Sequence, residues 1–348
     1  MNIPRISIGI VTYNRVEFLR RAISSALIQG DAVSEIIVVN DGSTDGTKAY
    51  IDNLSIPQIV AVHLWENSGR PQARNEVVAR MKGDYLLWLD DDDALAENCL
   101  SSHLEILAKH PDADIIYGNH VACDADLNPK EERKSRDARQ GEMLMQLVYE
   151  DIIPNGGTLI RKSVFSRVGN YDLSFKRAQD YDFWVRAAIA GCKFVHNDSP
   201  IYYFRFHENN LANPHLICDQ SEYHCKILAK TIENALIEEI FPVLNWNEQP
   251  KESAAKALLL LARIFFDHGD DNKALDCIQL SEQYCSSREA SAMKAYVYRA
   301  LAKYSESAQT FGALLGEMYP EFSAMLVEVG APRGSAAVAR GFSSRVAG

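Results

Sequence analysis

Four consecutive carboxylates, Asp90, Asp91, Asp92 and Asp93, follow directly on an apolar run, Tyr85-Leu86-Leu87-Trp88-Leu89. Successive side chains of extended backbone point to opposite sides, so at least two of the four share a side. Two such charges about 4 Å apart repel by roughly 4 kcal/mol at an effective dielectric near 20. A divalent cation relieves that repulsion. Oxygen ligands suit Mg2+ or Mn2+, and Mg2+ is often held by one or two carboxylates plus the phosphates of a substrate. A plainer reading of the same residues is an acidic turn capping a helix that starts near Glu97, with Asp93 or Asn98 as the cap.

The elements that would carry this turn alternate in type. Short β-rich runs at 6–11, 35–40, 59–64 and 84–89 are separated by helical patterns at 16–27, 44–53 and 72–81. The strands are continuously apolar rather than alternating, which predicts an α/β fold with a mostly parallel sheet covered on both faces. Ligands of such sheets bind outside the carboxyl ends of the strands. The residues found there are Thr12, Tyr13 and Asn14 after the first strand, Asp41 after the second, and Asn67 and Gly69 after the third. The acidic quartet follows the fourth. Residues 111–235 read as a continuation with mixed topology, including a strand at 115–117 and a helix at 141–150. The charged run 130–139 reads as a solvated loop or helix face, or as a mobile lid on the acceptor side.

Composition narrows the function classes. The net charge of −11 and the absence of a long basic stretch argue against a nucleic-acid partner. The N-terminus lacks signal-peptide features, and the longest apolar helical stretch, 254–266, is too short to span a bilayer and is interrupted by Lys256 and Arg263. Seven cysteines in no disulfide-like spacing fit reduced thiols, which predicts a cytoplasmic protein, with peripheral attachment at the inner face of a membrane as the other option. His215 and Cys218, with His224 and Cys225, have poor spacing for zinc.

After Pro250 helical periodicity dominates. Ala262, Gly269 and Ala274 recur as Ala295, Ala302 and Ala308, at offsets of 33, 33 and 34 residues. That pattern looks like two tetratricopeptide-type hairpins, with the aromatic and proline positions only partly filled. The expected organisation is a catalytic domain at 1–235, a small all-α region at 250–329 and a disordered tail at 330–348. The helical region is expected to dock a protein partner or a second copy of the chain, or to serve as packing alone.

The ordered set Val11-Thr12-Tyr13-Asn14-Arg15, Val39-Asn40-Asp41-Gly42-Ser43, Asn67-Ser68-Gly69 with Ala73-Arg74-Asn75, and Leu89-Asp90-Asp91-Asp92-Asp93 resembles the family 2 glycosyltransferases of the GT-A fold. The resemblance continues through Asn155-Gly156-Gly157, Gly169-Asn170-Tyr171-Asp172, Gln179-Asp180-Tyr181-Asp182-Phe183-Trp184 and Tyr203-Phe204-Arg205-Phe206-His207. It implies a metal-dependent, inverting transfer of a sugar from a nucleotide-diphospho-sugar to a hydroxyl on a glycan, a lipid-linked sugar or a protein. UDP is the first expectation for the nucleotide, with dTDP and GDP as alternatives, and Mn2+ or Mg2+ is the implied cation.

The resemblance also implies roles. Thr12, Tyr13, Asn14, Asp41, Asn67, Gly69, Arg74, Asp90 and Asp91 would bind the donor: Tyr13 against the base, Asp41 accepting from a base N–H, Arg74 on the diphosphate and Asp91 on the ribose or near the metal. Asp92 and His207 would hold the metal. The extra aspartate leaves two frames for the acidic motif, 90–92 and 91–93, and the preceding strand favours the first. Asp180 would be the base that takes the proton of the attacking hydroxyl, since alcohols are weak nucleophiles at neutral pH. The family usually has Glu-Asp where this chain has Gln179-Asp180. Structural alternatives stand beside several of these roles: Asp41 and Asp180 as helix caps, Arg74 as a surface arginine, His207 as a hydrogen-bonding histidine. Asp182 is the competing carboxylate. A catalytically silent scaffold acting through its helices, and a nucleotidyltransferase, are the competing functions; the second normally has a Gly-rich phosphate loop, and Thr12-Tyr13-Asn14-Arg15 has no glycine.

Overall fold

A computed structural model of the 348-residue chain describes residues 4–139, 141–207, 220–301 and 310. The chain divides between Leu236 and Ile237 into two compact units. The first is built on one mixed sheet. Its strands are β1 (Ile6–Thr12), β2 (Val33–Asn40), β3 (Ile59–His63), β4 (Tyr85–Asp90), β5 (Ala94–Leu95), β6 (Ile115–Cys123), β7 (Pro129–Arg133), β8 (Leu159–Arg161) and β9 (Phe194–Arg205). The spatial order is β3-β2-β1-β4-β8-β6-β9-β5, with β7 on the edge of β6. β3, β2, β1 and β4 run parallel; β8 is antiparallel to β4 and β6, and β9 is parallel to β6.

Helices α1 (Val16–Leu27), α2 (Thr47–Asp52), α3 (Arg70–Arg80) and α4 (Cys99–Lys109) connect the first strands. α5 (Met143–Tyr149), α6 (Lys162–Val168), α7 (Gln179–Ile189) and α8 (Gln220–Asn234) follow. The expected α/β fold with a mostly parallel, doubly covered sheet is present. Ile8, Ile10, Val38 and Leu87 have no exposure, and the sheet buries them between its helical layers. Gly9 makes one of these contacts possible: a Cβ there would come within 2.6 Å of Val77 and 2.9 Å of Trp88, so only glycine lets α3 lie this close to β1.

Three departures from the sequence reading have local causes. α2 starts at Thr47 rather than near Thr44 because the preceding amides are taken: Asn14 Oδ1 accepts from the backbone N–H of Thr44 (2.7 Å) and of Asp45 (3.3 Å). The charged run read as loop or helix face begins as strand β7, which is exposed throughout, as a solvated segment should be. The free edge of β6 supplies pairing that outweighs poor strand propensity. Strands β5 and β9 have no periodic signature. Their register, Ala94 opposite Tyr203 and Leu95 opposite Tyr202, brings the end of β9 beside the acidic turn.

The second unit holds α9 (Ile237–Ile240), α10 (Pro250–Asp267), α11 (Asp271–Tyr284) and α12 (Arg288–Ala300). Ala262, Ala274 and Ala295 are fully buried, and the side chains of Asp270 and Ser287 cap α11 and α12 by accepting from Lys273 and Ala290 amides. Ala302, Ala308 and the expected tail at 330–348 lie outside the described residues, as do His215 and Cys218. No helix among the described residues is long and apolar enough to cross a membrane.

Candidate active site

The carboxyl ends of β1, β2 and β4 open on a cavity of about 390 Å³. Tyr13, 42% exposed, stands in the wall with Thr12, Asn67 and Gly69. Asp41 is buried, with one oxygen accepting from Ser68 N–H (2.8 Å) and the other from Gly69 N–H (3.0 Å). A carboxylate has about four lone-pair sites. Asp41 can therefore still accept from a ligand in the cavity, and it does not cap α2. Gly42 makes the join possible: it has φ +71°, and a Cβ there would fall 2.3 Å from the Glu66 carbonyl carbon. Four cations, Arg15, Arg70, Lys176 and Arg177, share the wall with only two acids, Asp41 and Asp91. In a chain of net charge −11 that local excess is suited to a small polyanion.

The acidic quartet is divided by the turn. Asp90, the last residue of β4, accepts from Asn155 Nδ2 with both oxygens (3.2 Å each) and from Arg74 Nη2 (3.1 Å). Asp91 and Asp92 share one guanidinium: Arg15 Nη1 lies 3.1 Å from Asp91 Oδ1 and 2.6 Å from Asp92 Oδ2. His207 Nε2 lies 3.1 Å from that same Asp92 oxygen. Asp93 turns inward and accepts the Arg205 N–H of β9 (2.9 Å). It does not cap α4, whose N-cap is Asn98.

Ionisation follows this division. Burial and the charge of Asp92 push the Asp91 carboxyl up to about 6. Burial opposes ionisation of Asp92 as well, but the His207 hydrogen bond and the charges of Arg15 and Arg70 prevail and hold it below its ordinary value. Burial and repulsion from Asp92 and Asp90 push Asp93 well above the carboxylate range. Asp92 is thus the member held anionic beside an imidazole. Among the described residues no three His, Cys, Asp or Glu side chains surround a common point. Asp92 and His207 offer two donors, with Asp91 next to them. That fits a cation completed by substrate phosphates and water, not a closed protein cage.

Asp180 lies in the first turn of α7 and is 25% exposed. The N-cap position is the left-handed Ala178 (φ 54°), and Asp180, inside the first turn, accepts the Tyr181 N–H with Oδ1 (3.1 Å). Asp180 Oδ2 is 3.5 Å from Arg74 Nη1. Arg74 is only 3% exposed, packed near the rings of Trp88 and Tyr171 with its guanidinium carbon 5.4 and 5.7 Å from their centroids. It joins Asp90 to Asp180 from below. Arg74 is therefore not the surface arginine of the structural alternative; it is buried and not among the residues of the cavity wall. Asp182 is buried and paired with Arg186 (2.8 Å) and Lys230 (3.1 Å), a tie between α7 and α8. Gln179 is 2% exposed, and its Oε1 has no hydrogen-bond partner among the described residues. Asp151 is reachable by water yet ringed by protein: desolvation first, and the Asp180 charge second, push its carboxyl well above the ordinary range.

Six of the sequence-predicted residues, Thr12, Tyr13, Asp41, Asn67, Gly69 and Asp91, line the cavity; Asp92 and His207 pair beside Asp91, and Arg74 joins Asp90 to Asp180. Asn14 differs. Its left-handed backbone (φ 54°) and its carbonyl clasp the loop before α2, outside the cavity wall. The roles of Arg15, Arg70, Lys176, Arg177 and Tyr223 in the cavity wall were missed. Arg15 and Arg70 stand inside the motifs, and the basic doublet Lys176-Arg177 just before Gln179-Asp180 in an acidic chain was a readable signal. Tyr223 arrives on α8 from far along the chain and left none.

Residues 7–169 match the model of the family described as Glycosyl transferase family 2. An uncharacterized glycosyltransferase of Bacillus subtilis, YwdF, is 32% identical over 194 residues, 53% of this chain and 68% of that protein. Of other curated relatives, such as that of Rickettsia typhi, the chain spans 58% of the length. The fold is similar to that of Staphylococcus aureus TarS 1–349 in complex with UDP-GlcNAc, with a TM-score of 0.58 at 16% identity, covering 90% of this chain and 91% of that one. It is also similar to that of the mannosyltransferase PcManGT of Pyrobaculum calidifontis in complex with GDP-Man and Mn2+, with a TM-score of 0.53 at 15% identity, covering 91% and 88%.

Proposed function

The chain belongs to glycosyl transferase family 2, an enzyme family of glycosyl transfer, and from that premise we propose a metal-assisted, inverting transfer from a nucleotide-diphospho-sugar to a hydroxyl acceptor. One observation carries the reading: Arg74 ties Asp90 of the acidic turn to Asp180, three residues after the Arg177 that lines a cation-rich cavity. The complexes of TarS with UDP-GlcNAc and of PcManGT with GDP-Man and Mn2+ support a nucleotide-sugar donor and a divalent cation.

In this reading the base stacks on Tyr13 and donates an N–H to a remaining lone pair of Asp41. Arg70, Lys176 and Arg177 face the diphosphate. Asp92 and His207 hold the cation, in the 90–92 frame, which Asp93 supports by turning away to β9. A bound divalent cation supplies neutralisation of the charge that develops on the leaving diphosphate. Asp180 accepts the proton as the acceptor oxygen bonds to the anomeric carbon. The bond from that carbon to the phosphate oxygen breaks on the opposite face, and its electron pair leaves with the diphosphate. Arg74 acts on the base as a positioning residue: its Nη1 contact at 3.5 Å is long enough to tighten once substrate fills the cleft. Asp151, on the Asp180 side, meets sugar or acceptor hydroxyls.

The catalytic domain spans 1–235, and the helical region at 250–329 serves acceptor or partner recognition. Incubation with UDP-, dTDP- and GDP-sugars in Mn2+ tests the activity. One donor is hydrolysed or transferred, and Asp92→Asn loses this while remaining folded. A folded protein that binds no nucleoside diphosphate in Mn2+ overturns the reading. Removing 250–348 tests the second unit: donor hydrolysis survives and transfer to the acceptor fails.

A further inference from the structure

Asp92 Oδ2 already has a cation against it. Arg15 Nη1 sits at 2.6 Å and also reaches Asp91 Oδ1, so a single guanidinium nitrogen bridges the two acids. His207 Nε2 lies within 3.1 Å of that same oxygen. A divalent ion bound to Asp92 Oδ2 would meet a fixed positive charge at hydrogen-bonding distance from its own ligand. The two occupants repel, and each weakens the other. Arg15 has a second place to go. It is a long, flexible side chain at the N-cap of α1, and it lines the same cavity wall as Arg70, Lys176 and Arg177. A diphosphate in that cavity offers an arginine fork more oxygens than a pair of carboxylates does.

We propose that Arg15 is an internal counter-cation that holds Asp91 and Asp92 in the metal-free protein and moves to the donor's diphosphate when the divalent ion enters. The ion and the nucleotide then bind as a coupled pair. By linkage, the factor by which a nucleoside diphosphate tightens metal binding equals the factor by which metal tightens the nucleotide. Arg15 sets part of that factor, because it competes with the ion when alone and joins the phosphates when they are present. The half of the idea that concerns the phosphates rests on the donor reading above; the competition between Arg15 and the ion does not.

The test is binding to the full chain, with no turnover required. Free Mn2+ is titrated by electron paramagnetic resonance in the absence of nucleotide, then with saturating UDP and with saturating GDP. In the natural protein Mn2+ alone binds weakly and one of the two nucleotides tightens it by about tenfold or more. Arg15→Ala and Arg15→Gln tighten Mn2+ binding without nucleotide by about tenfold and shrink the nucleotide effect. Arg15→Lys, which keeps the charge, stays close to the natural protein. An unchanged or weaker Mn2+ affinity in a folded Arg15→Ala or Arg15→Gln protein overturns the proposal. If neither variant folds, the natural protein still decides it, since Mn2+ bound equally well with and without a bound diphosphate is the contrary result. If neither UDP nor GDP binds, the donor reading fails, while the nucleotide-free titrations still score the competition.

Discussion

At the amino ends of the strands, three acids each accept at least one backbone amide, alongside side-chain partners. Glu35 accepts from Ser7 Oγ (2.6 Å) and from Lys82 N–H (2.5 Å), Asp84 accepts Arg5 N–H (2.9 Å), and Asp114 accepts Lys193 N–H (3.0 Å) beside Arg167 at 2.6 Å. At the carboxyl ends of the same sheet, Asp90, Asp91 and Asp92 are met by side chains that belong to other elements: Arg74, Asn155, Arg15 and His207. Acids cluster at both ends. An amide in a strand or turn cannot withdraw without unfolding something, whereas a guanidinium or imidazole can exchange its partner for a ligand. Carboxylates are common to both ends; Asp91 and Asp92 differ in that side chains, Arg15 and His207, stand against them.

Substitutions at the two ends should therefore separate activity from stability. The largest effect is expected from Asp180→Asn, which should cut glycosyl transfer by about 10²- to 10⁴-fold with little change in melting temperature. Initial rates and thermal melts on one preparation check it; parallel losses of both would erase the contrast. The next concerns His103, fully buried, which bonds to Gly157 O (2.8 Å) and so steadies the loop that presents Asn155 to Asp90. Burial lowers its folded value from 6.5 to about 4. A group with a depressed folded value that is neutral when folded takes up its proton first in the unfolded chain. Its stability contribution is intact above pH 6.5 and is lost as pH falls towards 4, by up to about 3 kcal/mol. Denaturant midpoints at pH 7, 5.5 and 4.5, compared with a His103→Gln variant whose slope is shallower, measure this.

A smaller effect is expected where the active end is given an acid without a counter-group. Gln179→Glu would place a carboxyl in a site 2% exposed with no partner for its oxygen among the described residues. It should lower stability by about 2 kcal/mol at pH 7 and regain it as pH falls, because the buried acid then stays neutral. The smallest is Glu35→Gln at the other end, which should cost about 1 kcal/mol in chemical denaturation and leave the transfer rate unchanged. A rate change there would show that the two ends are coupled.

Much of this division was legible beforehand. The unbroken apolar runs of β1, β2 and β4 announce parallel strands buried on both faces, and the rule that ligands sit at their carboxyl ends picks out Thr12, Asp41 and Asp90 together. What periodicity does not carry is partner choice between distant segments. That Arg74 is buried between Asp90 and Asp180 goes with the close approach of α3 to Gly9, and Asn14 works as a clasp because its side-chain oxygen meets the loop before α2. His207 meets Asp92 through the β5–β9 pairing, which two residues of strand could not advertise. Lys176 and Tyr223 reach the cavity from loops and helices more than 80 residues beyond the acidic turn.

The backbone of Gly42 pressed against residues 66 and 67 has an engineering consequence. With Asp41 clamped to Ser68 and Gly69, that flank behaves as one rigid jaw whose parts cannot be retuned separately. Attempts to broaden which nucleotide is accepted should leave this jaw alone and vary the later-arriving lining residues Lys176, Arg177 and Tyr223.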